Sequence, residues 1–383
     1  MQLDHFDIDG FLSDYWQKKV LLIGNPWKDW RNPLEPDEVA GLACEEDVES
    51  RLITQKRDTW TVEDGPFPEA RFGTLGSKPW TLLVQAVDHH VPEVAALIEP
   101  FRFIPNWRID DVMVSYATDQ GGVGPHFDQY DVFLIQGLGR RRWQIGAACD
   151  DTTELLPHDD LRLLANFEAT DEWILEPGDI LYVPPGVAHN GVAVGDDCMT
   201  YSIGFRAPSR SELIAQWSEH LIEGVRDDDR YADPDLTAQD NPGEISAGAI
   251  ARLHAMVTEK MLDRDAFARW FGQHNSAPKY PDVDWQPDEC VPPEALRQRL
   301  SGDVMLRRNP ASRFSFIRQH AGSLLLFVDG ECFECAQETA AFAEILCAQD
   351  RVEIDPGLLQ SEADMALIAK LFDQGSLAFD QED

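Results

Sequence analysis

No apolar run in these 383 residues approaches the roughly 18–20 needed to cross a bilayer as a helix, so no membrane-spanning segment is expected. Positive charge is scarce. The chain carries 32 Lys and Arg against 69 Asp and Glu, a formal net charge of −37. A field of that sign repels phosphate backbones and anionic lipid and attracts cations, which points to a basic polypeptide partner and away from direct nucleic-acid binding. Acidic surfaces also serve solubility or a salty cytoplasm, and charge alone does not choose between these origins. Cysteine is sparse and scattered: seven residues, Cys44, Cys149, Cys198, Cys290, Cys332, Cys335 and Cys347, with no secretory signal. An odd, dispersed set is expected as reduced thiols in a cytoplasm. Cys332 and Cys335 have CxxC spacing, but no second pair or adjacent histidines complete a zinc site and no βαβ pattern surrounds them, so they read as unmetallated thiols.

What is present suffices for packed cores: 43% hydrophobic and 10% aromatic residues, in a chain long enough for two or three units. Residues 1–208 read as one domain. Within it, short apolar segments separated by turn residues predict strands over Asp111–Ala117, Asp131–Gln136, Arg141–Ile145, Ile180–Val183 and Cys198–Phe205, an antiparallel barrel or sandwich. Pro36–Ala43 reads as a helix ahead of them. At Ser209 the character changes. Ser209 with Glu212 makes a capping box before Leu213, Ile214, Trp217, Leu221 and Ile222, and a second helical pattern runs from Ile245 to Phe271. This unit, 209–275, presents apolar faces that need a partner surface. Five prolines (Pro278, Pro281, Pro287, Pro292, Pro293) mark 276–293 as a linker. Residues 294–383 combine a helical start near Glu294, a hairpin of Arg313–Arg318 with Leu324–Val328, and helices near Glu338–Gln349 and Ser361–Phe372, a mixture like a small winged-helix domain.

Chemistry concentrates at His126-Phe127-Asp128. On a strand, side chains alternate, so His126 and Asp128 are expected on one face. Much later, Gly178 to His189 reads as a turn, a strand and a second turn that delivers a histidine, and a barrel can bring His189 opposite the HxD edge. Two imidazoles and one carboxylate on one face are the facial triad of non-haem Fe(II) oxygenases, which leaves coordination positions for a bidentate co-substrate and dioxygen. HxD alone is a common tripeptide and carries little; its pairing with a PxGxxH turn is what gives it weight. If the co-substrate is 2-oxoglutarate, its far carboxylate needs a fixed cation. Arg141 alternates with Trp143 and Ile145 onto one strand face and fills that role, while Arg140 and Arg142 face away. Ser115, with Thr200 or Ser202 as further candidates, supplies a hydroxyl to the same carboxylate.

Three segments then act together: GVGPHFDQYDVFLIQGLGRRRW (Gly122–Trp143), EPGDILYVPPGVAHNG (Glu176–Gly191) and YSIGFRAPSRSEL (Tyr201–Leu213). They closely resemble the bacterial ribosomal-protein arginine hydroxylases, which are JmjC-type ribosomal oxygenases. The resemblance extends through YWQKK (Tyr15–Lys19), DEVAGLA (Asp37–Ala43), LLVQAVDH (Leu82–His89) and WRIDDVMVS (Trp107–Ser115), and so spans the first domain. It implies an α+β multidomain chain: a JmjC double-stranded β-helix (a cupin-like jelly roll), a helical dimerisation segment and a C-terminal winged-helix-like domain. It further implies hydroxylation of an arginine in a large-subunit ribosomal protein, the sixteenth in the usual count, in a homodimer. By motif, His126, Asp128 and His189 become iron ligands, Arg141 and Ser115 contact 2-oxoglutarate, and Asp111, Met113 and Tyr130 bind the substrate arginine. Asp111, Met113 and Ser115 also alternate onto one strand face. Departures are Asn190 after His189 and the loop Ala117–Gln120, which reads ATDQ.

Two other functions share part of this pattern. A JmjC-type demethylase uses the same iron chemistry on methylated lysine or arginine and differs in its pocket. A non-catalytic binding protein, with the winged helix contacting nucleic acid, is opposed by the net charge and by a complete triad with Arg141.

Overall fold

Short, turn-punctuated apolar segments favour antiparallel strands. The computed structural model describes residues 3–56, 59–76, 78–287, 291–302, 304–336, 338–354 and 361–380. It divides into two units, 1–207 with 309–311, and 208–308 with 312–383. In the first unit the strands are β1 (Leu21–Ile23), β2 (Ser50–Lys56), β3 (Thr59–Asp64), β4 (Trp80–Val84), β5 (Ile109–Ala117), β6 (Asp131–Leu138), β7 (Arg141–Ala148), β8 (Asp171–Leu175), β9 (Ile180–Val183), β10 (Val187–Ala193) and β11 (Cys198–Phe205). They form a larger sheet in the order β1-β9-β6-β11-β5-β4-β2-β3 and a smaller one, β10-β7-β8. Together these are the two sheets of a double-stranded β-helix.

Alternation along each strand separates two environments. Val112, Val114, Phe133, Ile135, Tyr182, Tyr201, Ile203 and Phe205 face outward into a core closed by helical residues, among them Phe11 of α1 (Ile8–Asp14), Val39 of α2 (Pro36–Leu42) and Val94 of α3 (Pro92–Ala95). Val132, Leu134, Leu181 and Val183 face inward and meet Trp143, Ile145 and Leu175 of the smaller sheet. Burying each of these large side chains is worth roughly 1.5–3 kcal/mol, so a slip of one residue in register would be prohibitive. The inward positions of β5 and β11 instead include three small, polar residues, Ser115, Thr200 and Ser202. That break in an otherwise apolar lining locates the site.

The expected strands are present, two with the expected ends and three somewhat longer. Two local expectations are corrected. His126 makes an isolated bridge with His189, and Asp128 precedes β6 in irregular backbone, so no continuous strand presents the pair. His189 lies inside β10 and not on a turn.

In the second unit Ser209 caps α4 (Arg210–Glu223) through the expected box with Glu212. The pattern expected as one helix from Ile245 is two, α5 (Ala247–Met261) and α6 (Arg264–Ser276), because Asp263 accepts the Ala266 N–H and starts a new helix. α7 (Pro293–Leu300), β12 (Val304–Arg308), β13 (Phe314–Arg318), β14 (Leu324–Val328), β15 (Glu331–Cys335), α8 (Glu338–Ala348), β16 (Arg351–Ile354), α9 (Glu362–Asp373) and β17 (Leu377–Phe379) follow. They build two three-stranded sheets, β16-β12-β17 and β13-β14-β15, around one core containing Leu296, Leu326, Phe342 and Ile368. Gly272 lets α6 close on this unit: a Cβ there would lie 2.3 Å from the Phe327 ring. The described cysteines are free thiols, and Cys290 lies outside the described residues.

Candidate active site

Two chain segments, 124–128 and 186–189, converge at the site. Gly124 turns the chain with φ +96°, and a Cβ there would press to 2.9 Å from Leu163 and 3.2 Å from Trp60, so only glycine permits this approach. His126 then docks on β10: its N–H donates to His189 O at 3.0 Å, and the His189 N–H returns to His126 O at 2.8 Å. Gly186 N–H donates to Asp128 O at 2.7 Å, fixing the third residue to the turn before β10. Each imidazole has its Nδ1 on a main-chain carbonyl, Gly124 O for His126 at 2.8 Å and Val187 O for His189 at 2.9 Å. Nδ1–H therefore donates, and Nε2 keeps its lone pair for a ligand bond. One donor atom from each of His126, Asp128 and His189 lies within 4.8 Å of the others. The Asp128 Oδ2 to His189 Nε2 distance is 3.5 Å. Burial, reinforced by the neighbouring His126, pushes His189 well below the ordinary imidazole range, which keeps it neutral as a metal ligand must be. Two imidazoles and a carboxylate on one side suit a six-coordinate divalent iron with an open face.

Arg141, at the start of β7, is 3% exposed and directs Nη2 to Ser115 Oγ at 3.3 Å. Its Nε has no protein partner, and among the described residues no carboxylate pairs with it. A buried guanidinium without a counter-ion is costly unless an anion completes it, and the carboxylate end of a small diacid has the matching fork. By contrast Arg140 is exposed and Arg142 leans toward Glu172 at 4.0 Å. Thr200 Oγ1 is engaged by Gln136 Oε1 at 3.1 Å, and Ser115 Oγ donates to Thr200 O at 3.4 Å. Gln136, fully buried on β6, went unnoticed in the sequence; its one signal is an amide within the apolar run VFLIQ.

Asp111, Met113 and Ser115 follow one another along the inward face of β5, with Met113 opposite Ser202 and Ser115 opposite Thr200. Near Asp111 the pairing is bulged: Val112 faces Ile203 and Ile109 faces Phe205, so Asp110 and Asp111 together oppose Gly204. Ala86 N–H donates to Asp111 Oδ2 at 2.9 Å, which fixes the carboxylate's orientation. Tyr130 stands 42% exposed beside it. Its phenol is held far above the ordinary range by partial burial and by the carboxylates of Asp128, Asp111 and Asp110, so it stays neutral and keeps a hydrogen to donate.

Directly after Tyr130, buried Asp131 accepts from Tyr182 Oη at 2.6 Å, Gln17 Nε2 at 2.9 Å and Arg108 Nη2 at 3.1 Å. This knot anchors the end of the segment bearing Asp128 and Tyr130; a carboxylate opening an apolar strand was its only signal in the sequence. A cleft of about 760 Å³ lined by Thr54, Lys56, Thr61, Arg71, Lys78 and Trp80 includes none of the triad or of its neighbours named above.

Comparison with known proteins agrees with this geometry. The JmjC domain family matches residues 96–213 and the ROXA-like winged helix family matches 259–378. The chain is 41% identical over 303 residues to the ribosomal protein uL16 3-hydroxylase of Escherichia coli strain K12, covering 78% of this chain and 79% of that protein. It is 38% identical to a probable ribosomal oxygenase of Haemophilus influenzae, covering 70% and 68%. The structure of YcfD, a ribosomal oxygenase from Escherichia coli, in complex with cobalt and 2-oxoglutarate superposes with a TM-score of 0.86 at 34% identity, covering 99% of each chain. With a relative this similar over more than two thirds of its length, the chain belongs to the JmjC-type ribosomal oxygenases.

Proposed function

We propose that this protein is an Fe(II)- and 2-oxoglutarate-dependent hydroxylase that acts on an arginine side chain of a large-subunit ribosomal protein. The observation that carries the reading is the buried, carboxylate-free Arg141 in the barrel whose mouth holds His126, Asp128 and His189. His126, Asp128 and His189 hold the iron, and Arg141 with Ser115 holds the far carboxylate of 2-oxoglutarate. Bound together, iron and 2-oxoglutarate supply dioxygen activation, with succinate and carbon dioxide as co-products and hydroxyarginine as product. The chain's own residues bind, orient and exclude water. Asp111 accepts guanidinium N–H groups, Met113 supplies an apolar flank, and Tyr130 covers the side chain from the solvent side.

The same reading divides the chain into an oxygenase domain (1–208), a dimerisation segment (209–275), a linker (276–293) and a winged-helix-like domain (294–383). Support for a homodimer comes from exposed apolar residues: α5 buries none of its side chains, and Leu253, Met256 and Val257 are all exposed. Trp217 does not contribute to that surface, since it packs on Phe267 and Trp270. A ribosomal substrate places the enzyme in the cytoplasm, and no helix among the described residues is long and apolar enough to cross a membrane. The test is mass spectrometry of the ribosomal protein after incubation with Fe(II), 2-oxoglutarate and oxygen. A gain of one oxygen on arginine supports the reading. Release of formaldehyde from a methylated peptide, with no oxygen added to arginine, replaces it with demethylation.

A further inference from the structure

Most buried glycines of the barrel are explained by the barrel itself. A Cβ on Gly122 would lie 2.5 Å from Gly191 O, and one on Gly191 would lie 2.7 Å from the Trp143 ring. Gly204 is different. Its φ is not left-handed, so its backbone makes no demand for glycine. A Cβ there would meet Tyr130 Cε2 at 3.8 Å and Asp111 Oδ1 at 4.0 Å, which is ordinary van der Waals contact. Nothing within the fold forbids a side chain at this buried position.

Its place on β11 suggests what does. Met199, Tyr201, Ile203 and Phe205 pack into the outer core, so the alternate residues Thr200, Ser202 and Gly204 face the barrel interior. Gly204 also stands opposite the bulge at Asp110 and Asp111, with Asp111 Oδ1 facing it. The missing side chain therefore leaves a gap bounded by a carboxylate, an aromatic ring and the serine-lined interior. A flat cation suits such a gap, because it can stack on the ring while donating in plane to the carboxylate. We propose that Gly204 is a specificity-determining residue, whose absent side chain keeps open the slot between Asp111 and Tyr130 through which the substrate's side chain reaches the metal site. The inference rests on the hydroxylase reading above and adds a residue to it.

The test compares full-length wild type with Gly204→Ala and Gly204→Val. Two peptides are used, one bearing arginine from the basic ribosomal segment and one bearing methyllysine. Equilibrium binding is followed by anisotropy, turnover by mass spectrometry, and fold by thermal melting; substrate-free 2-oxoglutarate consumption reports the metal site. Gly204→Ala is expected to raise both Kd and KM for the accepted peptide about tenfold, and Gly204→Val a hundredfold or more, since the first adds one carbon and the second three to a tight pocket. Melting temperature and substrate-free consumption stay at wild-type values. Unchanged Kd and KM in Gly204→Val overturn the slot, as does a loss of melting temperature and substrate-free consumption in step with peptide turnover. Preference for methyllysine in wild type, with the same Gly204 effects, rejects the arginine reading and keeps the slot. A wild type that binds neither peptide rejects both.

Discussion

His126 and His189 bond to each other through their main chains in both directions, at 3.0 and 2.8 Å, before either side chain meets a metal. The ligand set is thus preassembled by backbone: the bridge sets the separation of the two rings, whose centroids are 4.3 Å apart, and Gly186 ties in Asp128.

Because the backbone and not the metal holds these residues, removing one ligand leaves the fold. His126→Ala and Asp128→Ala are expected to melt within a few degrees of metal-free wild type while losing turnover. Co(II) with 2-oxoglutarate at a hundred times Kd stabilises wild type by about 2.7 kcal/mol. Neither variant shows that shift in differential scanning calorimetry. Wild-type 2-oxoglutarate turnover in either variant would falsify the ligand assignment.

The reach of sequence reasoning follows from how local each feature is. Ser209 and Glu212 cap α4 across one turn, and Leu324–Val328 pairs with its immediate neighbour in sequence, so both are legible. Strands whose inward and outward residues differ sharply, such as Cys198–Phe205, are equally plain. The β2–β3 hairpin is missed because SRLITQK and TWTVED carry polar residues on both faces. β12, β16 and β17 are short and pair across long stretches of chain, which no window of sequence reveals. At the site, the identities of His126, Asp128 and His189 are legible because few residue types bind iron. Their geometry is not, since it depends on a bridge between distant segments. Gly204 is silent in sequence for a related reason: the role proposed for it depends on Asp111 and Tyr130, which lie far apart in sequence and meet because β11 pairs with both β5 and β6.

Strand phase makes a sharp contrast between adjacent arginines. Arg141 is buried against Ser115, whereas Arg140 is exposed. On the proposed reading, Arg141→Ala is expected to remove a shielded, forked contact worth on the order of 2–5 kcal/mol, at least about thirtyfold in the KM for 2-oxoglutarate. Arg140→Ala leaves that KM within about twofold, as is usual for a solvated charge. Steady-state kinetics in varied 2-oxoglutarate measures both; a silent Arg141→Ala beside an impaired Arg140→Ala would reverse the assignment.

α5 offers a test of association. A 15-residue helix with no buried side chain is marginal alone, since most helical stability comes from packing an apolar face. Ile250, Leu253, Met256 and Val257 recur at helical spacing and are exposed. On the proposed reading, a second copy is expected to cover them in an isologous contact. Light scattering at micromolar concentration is expected to give twice the 43.2 kDa chain mass for wild type. Leu253→Glu with Met256→Glu gives the monomer. A monomeric wild type at that concentration removes the dimer from the reading.

Substrate capture combines a long-range and a short-range selection. On the proposed function, the net charge of −37 is expected to draw in a basic ribosomal segment from a distance, an attraction screened over about 8 Å at physiological ionic strength. The apparent KM for the ribosomal substrate is therefore expected to rise steadily with added salt, while the KM for 2-oxoglutarate, whose proposed partner Arg141 is buried, changes little. Selection at the pocket is independent of that field. Asp111 is oriented by the Ala86 N–H, and it stands beside the neutral phenol of Tyr130. A planar guanidinium can donate two N–H groups to such a carboxylate, whereas a lysine ammonium uses a single point of contact. Replacing the target arginine by lysine in the peptide is expected to lower kcat/KM by at least tenfold at every salt concentration. Asp111→Asn is expected to erase most of that difference, since it removes the charge that rewards the fork while keeping an acceptor oxygen. Competition between the two peptides, read by mass spectrometry across a salt series, separates the effects: a preference that vanishes at high salt assigns selectivity to the surface field and not to Asp111.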